Sequence, residues 1–200
     1  MLPVVLLVSV SAAKAVVLVA WLSLLLIRAP HQASSRATPI AERCWGGVET
    51  VLLALLAVAF LLPVLWASTE VFAATDYPPN AVALGAGGVC YGLGLWLFDR
   101  AHRELGPRWS CTLELRASHD LVTGGVYSVV RHPMYLAYAL YAAGQAIALP
   151  NLWVGPSHLG AALLLLALRL RPEERMLRRR FGRAYEDYAA RTPRLVPGVW

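Results

Sequence analysis

Of 200 residues, 58% are hydrophobic and only 15% are charged, against roughly a quarter charged in an average soluble domain. With a mean hydropathy of +0.55, this composition argues against a soluble globular enzyme, a disordered tail and a nucleic-acid binder. The formal charge of +6 points instead to anionic lipid headgroups, because the basic residues alternate with long apolar runs. The three cysteines, Cys44, Cys90 and Cys111, share no CxxC spacing and suggest neither a disulfide framework nor a metal site.

A helix crossing the hydrocarbon core takes about 20 apolar residues. Three runs meet that length: Leu2 to Ile27, broken only by Lys14; Gly46 to Trp66, with Glu49 near its start; and Ala81 to Phe98, uncharged throughout. The first run lacks a basic start and continues too long for a signal peptide. Two shorter runs follow, Pro133 to Leu149 and Leu152 to Leu168, and the intervening Pro150-Asn151 predicts a tight turn between them. Each arm of this hairpin is about 25 Å long by the helical rise and is expected to stop short of the far surface. The expected fold class is all-α: a polytopic membrane protein with about five transmembrane helices, the last two a short hairpin, and a cytoplasmic C-terminal amphipathic helix. The chain is read as one domain, with spans over 1–98 and a ligand-binding half over 99–200.

Orientation follows from arginine placement. Segments 28–43, 100–131 and 169–194 hold all the arginines, while Ala67 to Asn80 holds Glu70 and Asp76 and no basic residue. The positive-inside bias then puts the N-terminus outside and both long polar segments, with the C-terminus, in the cytoplasm. Within the spans, Lys14 and Gln145 either face each other or, preferably, Lys14 snorkels to the outer surface. Glu49 is expected to face headgroups or pair with Arg43, and His158 to be solvated or capping. Trp21, Trp45, Trp66 and Trp109 read as interfacial anchors, and Gly88 and Gly92 as a helix-packing surface.

The polar stretch Asp99 to His132 is too rich in specific residues for a bare connector. Gly124-Gly125 predicts a tight turn, and Pro133 suits the first turn of the following helix. The backbone amides at that helix start, beside Arg131 and His132, form an anion-binding corner or, more blandly, a capped basic flank. Farther on, Arg171-Pro172-Glu173-Glu174 reads as a helix start. Leu177, Phe181, Ala184, Tyr185 and Tyr188 recur at helical spacing, flanked by Arg178, Arg179, Arg180 and Arg183. That pattern predicts an amphipathic helix on anionic lipid, although paired glutamates beside a basic surface also suit a cationic ligand.

Three blocks carry a resemblance: ELGPRWS at 104–110, HDLVTGGVYSVVRHPMY at 119–135 and EERMLRRRFGRAYEDYAARTPRLVP at 173–197. Through them the sequence resembles the isoprenylcysteine carboxyl methyltransferase family and its phospholipid methyltransferase relatives, whereas the N-terminal half matches only as generic spans. The resemblance implies an integral membrane enzyme that moves a methyl group from S-adenosylmethionine to a lipid or isoprenoid acceptor. It also implies that His119, Leu121 and Val122 line the cofactor pocket and that Gly125 and Tyr127 shape the turn over it. His132, Pro133 and Tyr135 would form its floor, Glu173 and Glu174 would lie near the cofactor's methionine end, and Arg131 would sit at the reacting end. Val126 and Ser128 stand where relatives often have Pro and Arg, which bears on acceptor preference.

Methyl transfer from a sulfonium chiefly requires alignment and exclusion of water. The lack of HExxH and GxSxG motifs is therefore no obstacle, and the run Gly85 to Cys90 fails the dinucleotide-binding fingerprint at Cys90. A carboxylate acceptor needs only an orienting group such as Arg131, making isoprenylcysteine-type carboxyl methylation the first reading. An amine acceptor such as phosphatidylethanolamine needs a base such as His132 or Glu174. Rivals are an NADPH-dependent sterol-type reductase and a non-catalytic membrane carrier or scaffold.

Overall fold

The computed structural model describes residues 8–37, 40–43, 46–110, 114–116 and 120–196. Helix α1, Val10–Ala37, starts where the Ser9 hydroxyl accepts from the Ala12 amide at 3.2 Å. It runs ten residues beyond the apolar stretch ending at Ile27, through Pro30. Helices α2, Gly47–Ser68, and α3, Ala81–Leu105, follow, the latter capped by Asn80, whose side chain accepts from the Val82 and Ala83 amides. All three are long and apolar enough to cross a membrane. A short turn of helix, α4, Val126–Val129, precedes α5, Pro133–Ala148, and α6, Val154–Phe181, which form the hairpin, and α7, Arg183–Arg191, ends the helical order.

The all-α architecture carries one small addition. Strands β1, Ile40–Arg43, and β2, Glu114–Arg116, pair antiparallel and join the connections that leave α1 and α3. Strands of four and three residues are too short to display an alternation in sequence.

Helix α3 packs most intimately on α5, with Tyr91 and Tyr141 meeting edge to face at 4.9 Å. A Cβ on Gly87 would lie 2.6 Å from that of Ala148, and one on Gly94 would lie 2.7 Å from the Tyr141 backbone nitrogen. The close-packing glycines are thus Gly87 and Gly94, and the expected Gly88 and Gly92 meet nothing within 4 Å. Glycines populate both faces of this helix, and the tyrosine pair selects the one that is buried.

The hairpin differs from expectation at both ends. Residues 149–153 make a connection rather than a two-residue turn, and this tip meets the α2–α3 loop. Asn151, 1% exposed, donates to the Phe72 carbonyl, Thr75 Oγ1 and Asp76 Oδ1 at 3.0, 2.9 and 2.6 Å. Its own Oδ1 accepts from the Trp153 and Val154 amides, capping α6. At the other end, Pro172 does not start a helix, because α6 continues through it to Phe181. Proline costs one intrahelical hydrogen bond, and the hydrogen bonds and ion pairs of Glu173 and Glu174 described below hold the next turn in place. The break falls at Gly182, φ 51°, between α6 and α7.

Other expected placements are also revised. Lys14 and Gln145 do not face each other: the Lys14 ammonium lies 5.7 Å from the Trp66 ring centre, while Gln145 Nε2 donates to the Val154 carbonyl at 2.9 Å. His158 is buried beside Gln145 Oε1, at 3.4 Å, rather than solvated. Glu49 is buried and faces Arg169 at 3.6 Å across the α2–α6 contact rather than headgroups; the Arg43 side chain lies outside the described residues. Trp66 and Trp109 are buried, and Trp66 donates to Asp76 at 2.8 Å; Trp21 donates to the Phe60 carbonyl, and Trp45 lies outside the described residues. An indole N–H in an apolar setting requires an acceptor, and internal acceptors draw these rings inward.

Candidate functional site

At the arginine-rich end, the turn before α5, the far half of α6 and the face of α7 surround a partly open chamber. Arg28 from α1 and Leu53 and Leu56 from α2 complete its bilayer side. The turn has a definite local cause. Gly125 adopts φ 56°, the next amide, of Val126, donates to Glu104 Oε2 at 2.7 Å, and a Cβ on Gly125 would lie 2.2 Å from that carboxylate. Only glycine fits there. Tyr127 follows on the chamber wall, and its carbonyl accepts from the Tyr188 hydroxyl of α7.

The C-terminal segment closes over this turn as a strap. The Arg131 amide donates to the Pro193 carbonyl at 2.8 Å and the His132 amide to the Arg194 carbonyl at 3.0 Å. These amides therefore hold the strap and do not form the expected anion corner. Tyr185 and Tyr188 are buried on the chamber wall, so this face of the expected amphipathic helix covers a cavity rather than lipid.

Beneath the strap lies a compact charge cluster. Glu174, 4% exposed, receives Arg131 at 3.0 Å, Arg194 Nε at 3.1 Å to each oxygen and His132 Nε2 at 3.4 Å. Glu173, one residue earlier, receives the Tyr135 hydroxyl and stands 3.7 Å from His132 Nδ1. Burial alone raises a carboxyl pKa, yet the His132 hydrogen bond and the neighbouring cations outweigh it and hold both glutamates down at about 2. Burial works against charge on His132, and the two carboxylates more than offset it, so its pKa is raised.

Leu121, Val122, Tyr127, Arg131, His132, Pro133, Tyr135 and Glu173 all line the chamber. Gly125 shapes the turn through Glu104, and Glu174 sits behind the wall, where it fixes Arg131. His119 lies outside the described residues. The residues missed in the sequence are Arg28, Tyr138 and Arg169 on the wall and Arg194 on the strap. The sequence signal of Arg28 and Arg169 was charge near a boundary, that of Arg194 its place in the 173–197 block, and Tyr138 had none.

Chemically, the wall offers an ionised carboxylate, Glu173, set among the aromatic rings of Tyr127, Tyr135 and Tyr185. Such a setting attracts a cation through charge and ring quadrupoles. Leu121, Val122, Met176 and Phe181 add apolar surface suited to a flat ring or an alkyl chain. Arg108 and Arg131 bring guanidinium groups to this wall, and the Nε of each is buried without a hydrogen-bond acceptor among the described residues.

The sequence model of the phospholipid methyltransferase family matches residues 82–184. The chain is 37% identical over 81 residues to protein-S-isoprenylcysteine O-methyltransferase B of Arabidopsis thaliana, covering 40% of this chain and 41% of that one. It is 33% identical over 110 residues to the protein-S-isoprenylcysteine O-methyltransferase of Schizosaccharomyces pombe, covering 52% and 45%. The solved structure of a eukaryotic intramembrane Ras methyltransferase, an isoprenylcysteine carboxyl methyltransferase, superposes with a TM-score of 0.54 at 25% identity, over 76% of this chain and 52% of that one. The matches thus span about half or less of those proteins. Together with the three long apolar helices, they make this chain an integral membrane protein.

Proposed function

This chain belongs to the phospholipid methyltransferase family, and from that premise we propose that it transfers a methyl group from S-adenosylmethionine to the carboxylate of an isoprenylcysteine-type lipid. The observation that carries the reading is the chamber itself, where an ionised Glu173 stands among aromatic rings beside unsatisfied arginine donors. Those groups fit the cofactor's chemistry: a carboxylate and rings for a cation, arginine donors for a carboxylate, and Leu121, Val122 and Met176 for an adenine ring. When bound, the cofactor supplies a methyl on an activated sulfonium, so no metal or covalent nucleophile is needed.

The protein's part is alignment. Glu173, oriented by Tyr135 and His132, attracts the cationic end. Arg131, pinned by Glu174, directs its charge toward the reacting end, where a planar guanidinium orients a carboxylate oxygen for in-line attack. The strap and the buried tyrosines exclude water, strengthening these interactions. We further propose that the arginine-rich end faces the cytoplasm, in line with the positive-inside bias, and that the acceptor enters from the bilayer past Leu53 and Leu56.

The test is thermal unfolding of the detergent-purified protein with S-adenosylhomocysteine, NADPH or neither, since a ligand bound to the native state raises the melting point. S-Adenosylhomocysteine should stabilise the protein and NADPH should not. Deuterated methyl from S-adenosylmethionine should then appear in the ester of an S-farnesyl cysteine acid. Stabilisation by neither ligand overturns the reading.

A further inference from the structure

Four arginines line the chamber: Arg28, Arg108, Arg131 and Arg169. Three of them stand against a carboxylate, Arg108 against Asp120 at 3.4 Å, Arg131 against Glu174 at 3.0 Å and Arg169 against Glu49 at 3.6 Å. The fourth carboxylate of the chamber, Glu173, is taken by Tyr135 and His132. Arg28 stands against none among the described residues. Its guanidinium lies 5.6 Å from the ring centre of Trp109, and its Nη1 donates to the Tyr138 hydroxyl at 3.4 Å. A guanidinium half-buried at a membrane boundary ordinarily finds an anion or open water. Here it has an indole face and a phenol.

Its position along the helices gives that charge a purpose. Tyr135 and Tyr138 both face the chamber from α5, three residues apart, so Arg28 meets α5 about 4.5 Å farther from the helix start than Glu173 does. Arg169 precedes Glu173 by four residues on the antiparallel α6, about 6 Å farther along in the same direction. Leu53 and Leu56 of α2, with Met134, add apolar wall to the same chamber. The chamber is therefore graded along α5, with a carboxylate at the strap end and a surplus guanidinium farther from the helix start. A cationic donor and an anionic, chain-bearing acceptor fit that gradient in only one direction.

We infer that Arg28 is the recognition residue for the carboxylate of the lipid acceptor, held on Trp109 and Tyr138 and reached from the apolar side of the chamber. The inference rests on the methyltransferase reading above and adds the acceptor's anchor to it. Arg131 is already held by Glu174, so it orients rather than recruits. Arg28 supplies the net charge that draws an acid in and disfavours a neutral or cationic headgroup. The helix that bears it lies outside the family match at 82–184, so this contribution belongs to the chain's own N-terminal half.

The experiment compares binding of S-farnesyl cysteine acid, its carboxamide and farnesyl phosphate to the full-length protein in detergent, with S-adenosylhomocysteine present. A charge-assisted hydrogen bond predicts that the wild type prefers the acid over the amide by roughly 10- to 100-fold. Arg28→Gln should abolish that preference, raising acceptor KM far more than it lowers kcat, while Arg28→Lys should retain most of it. Stabilisation of each variant by S-adenosylhomocysteine reports an intact cofactor site and keeps the two readings separable. If that stabilisation is absent from the wild type, the methyltransferase reading fails. If it is present and Arg28→Gln still prefers the acid, or the wild type never does, this inference alone fails. Tighter binding of farnesyl phosphate than of the acid also overturns the carboxylate assignment.

Discussion

The two ends of the α5–α6 hairpin bury polar groups to different ends. At the tip, Asn151 makes five hydrogen bonds to the α2–α3 loop and the start of α6, and Gln145 and His158 pair beside it. These groups are neutral, apart from Asp76, and the Asn151 amide is satisfied at both its nitrogen and its oxygen. At the opposite end the buried groups are charged and line a chamber, and Arg108 Nε and Arg131 Nε are buried there with no acceptor among the described residues. A satisfied polar cluster fastens helices together. A charged one with donors left over holds space for a ligand, because leaving those donors unmet is tolerable only where something else completes them.

That distinction breaks most visibly at Glu174. Glu174→Gln keeps the volume but leaves Arg131 and Arg194 facing each other without a carboxylate. Breaking a buried ion pair costs about 3–5 kcal/mol; the partial exposure of Arg194, 26%, puts this site at the lower end. The expected result is a large drop in melting temperature together with loss of stabilisation by S-adenosylhomocysteine, read by thermal unfolding. A Gln variant with wild-type stability and ligand response would mean that the cluster is ornamental.

The tip should separate stability from ligand binding. Asn151→Ala removes the cap of α6 and leaves Asp76 without one of its two donors, Trp66 remaining. With net hydrogen-bond values of about 1 kcal/mol each, the expected loss is about 2–3 kcal/mol, measured as a lower melting temperature. The affinity for S-adenosylhomocysteine, measured well below that temperature, should stay within about twofold of wild type, a difference well under 1 kcal/mol. A parallel fall in affinity would show that the two ends are coupled through the hairpin.

How much of each end was legible in the sequence follows from how local its determinants are. The three apolar spans, the hairpin and the Gly125 turn rest on neighbouring residues, and so does the run from Arg131 to Tyr135. The chamber's other half depends on contacts between residues far apart in the chain, such as Arg28 with Tyr138 and Glu49 with Arg169. Arg28 was counted only as positive-inside charge, and Glu49 only as a boundary acid. Pro172 shows the converse, a strong local start signal inside a helix whose next turn is tied into the charge cluster. Nothing local reveals that residues 193 and 194 return to the Arg131 and His132 amides, next to the helix start that was read as an anion corner.

The smallest expected effect lies in pH, and it sharpens the comparison because His132 touches only one end. Its pKa is raised above the ordinary 6.5 by Glu173 and Glu174 despite burial. A group whose folded pKa is raised contributes stability that is complete below its unfolded value and is lost as pH climbs through the folded value. The glutamates, held down at about 2 from an ordinary 4.5, contribute stability that is complete above 4.5 and is lost as pH falls toward 2. The cluster therefore contributes most between about 4.5 and 6.5. Above that window the melting temperature should decline by a few degrees as His132 deprotonates, and His132→Asn should flatten the decline. The Asn151→Ala protein, less stable throughout, should keep it, since its lesion lies at the tip. If His132→Asn retains the full alkaline decline, the histidine is not charged in the folded protein, and Glu173 and Glu174 must owe their ionisation to the arginines and Tyr135 alone.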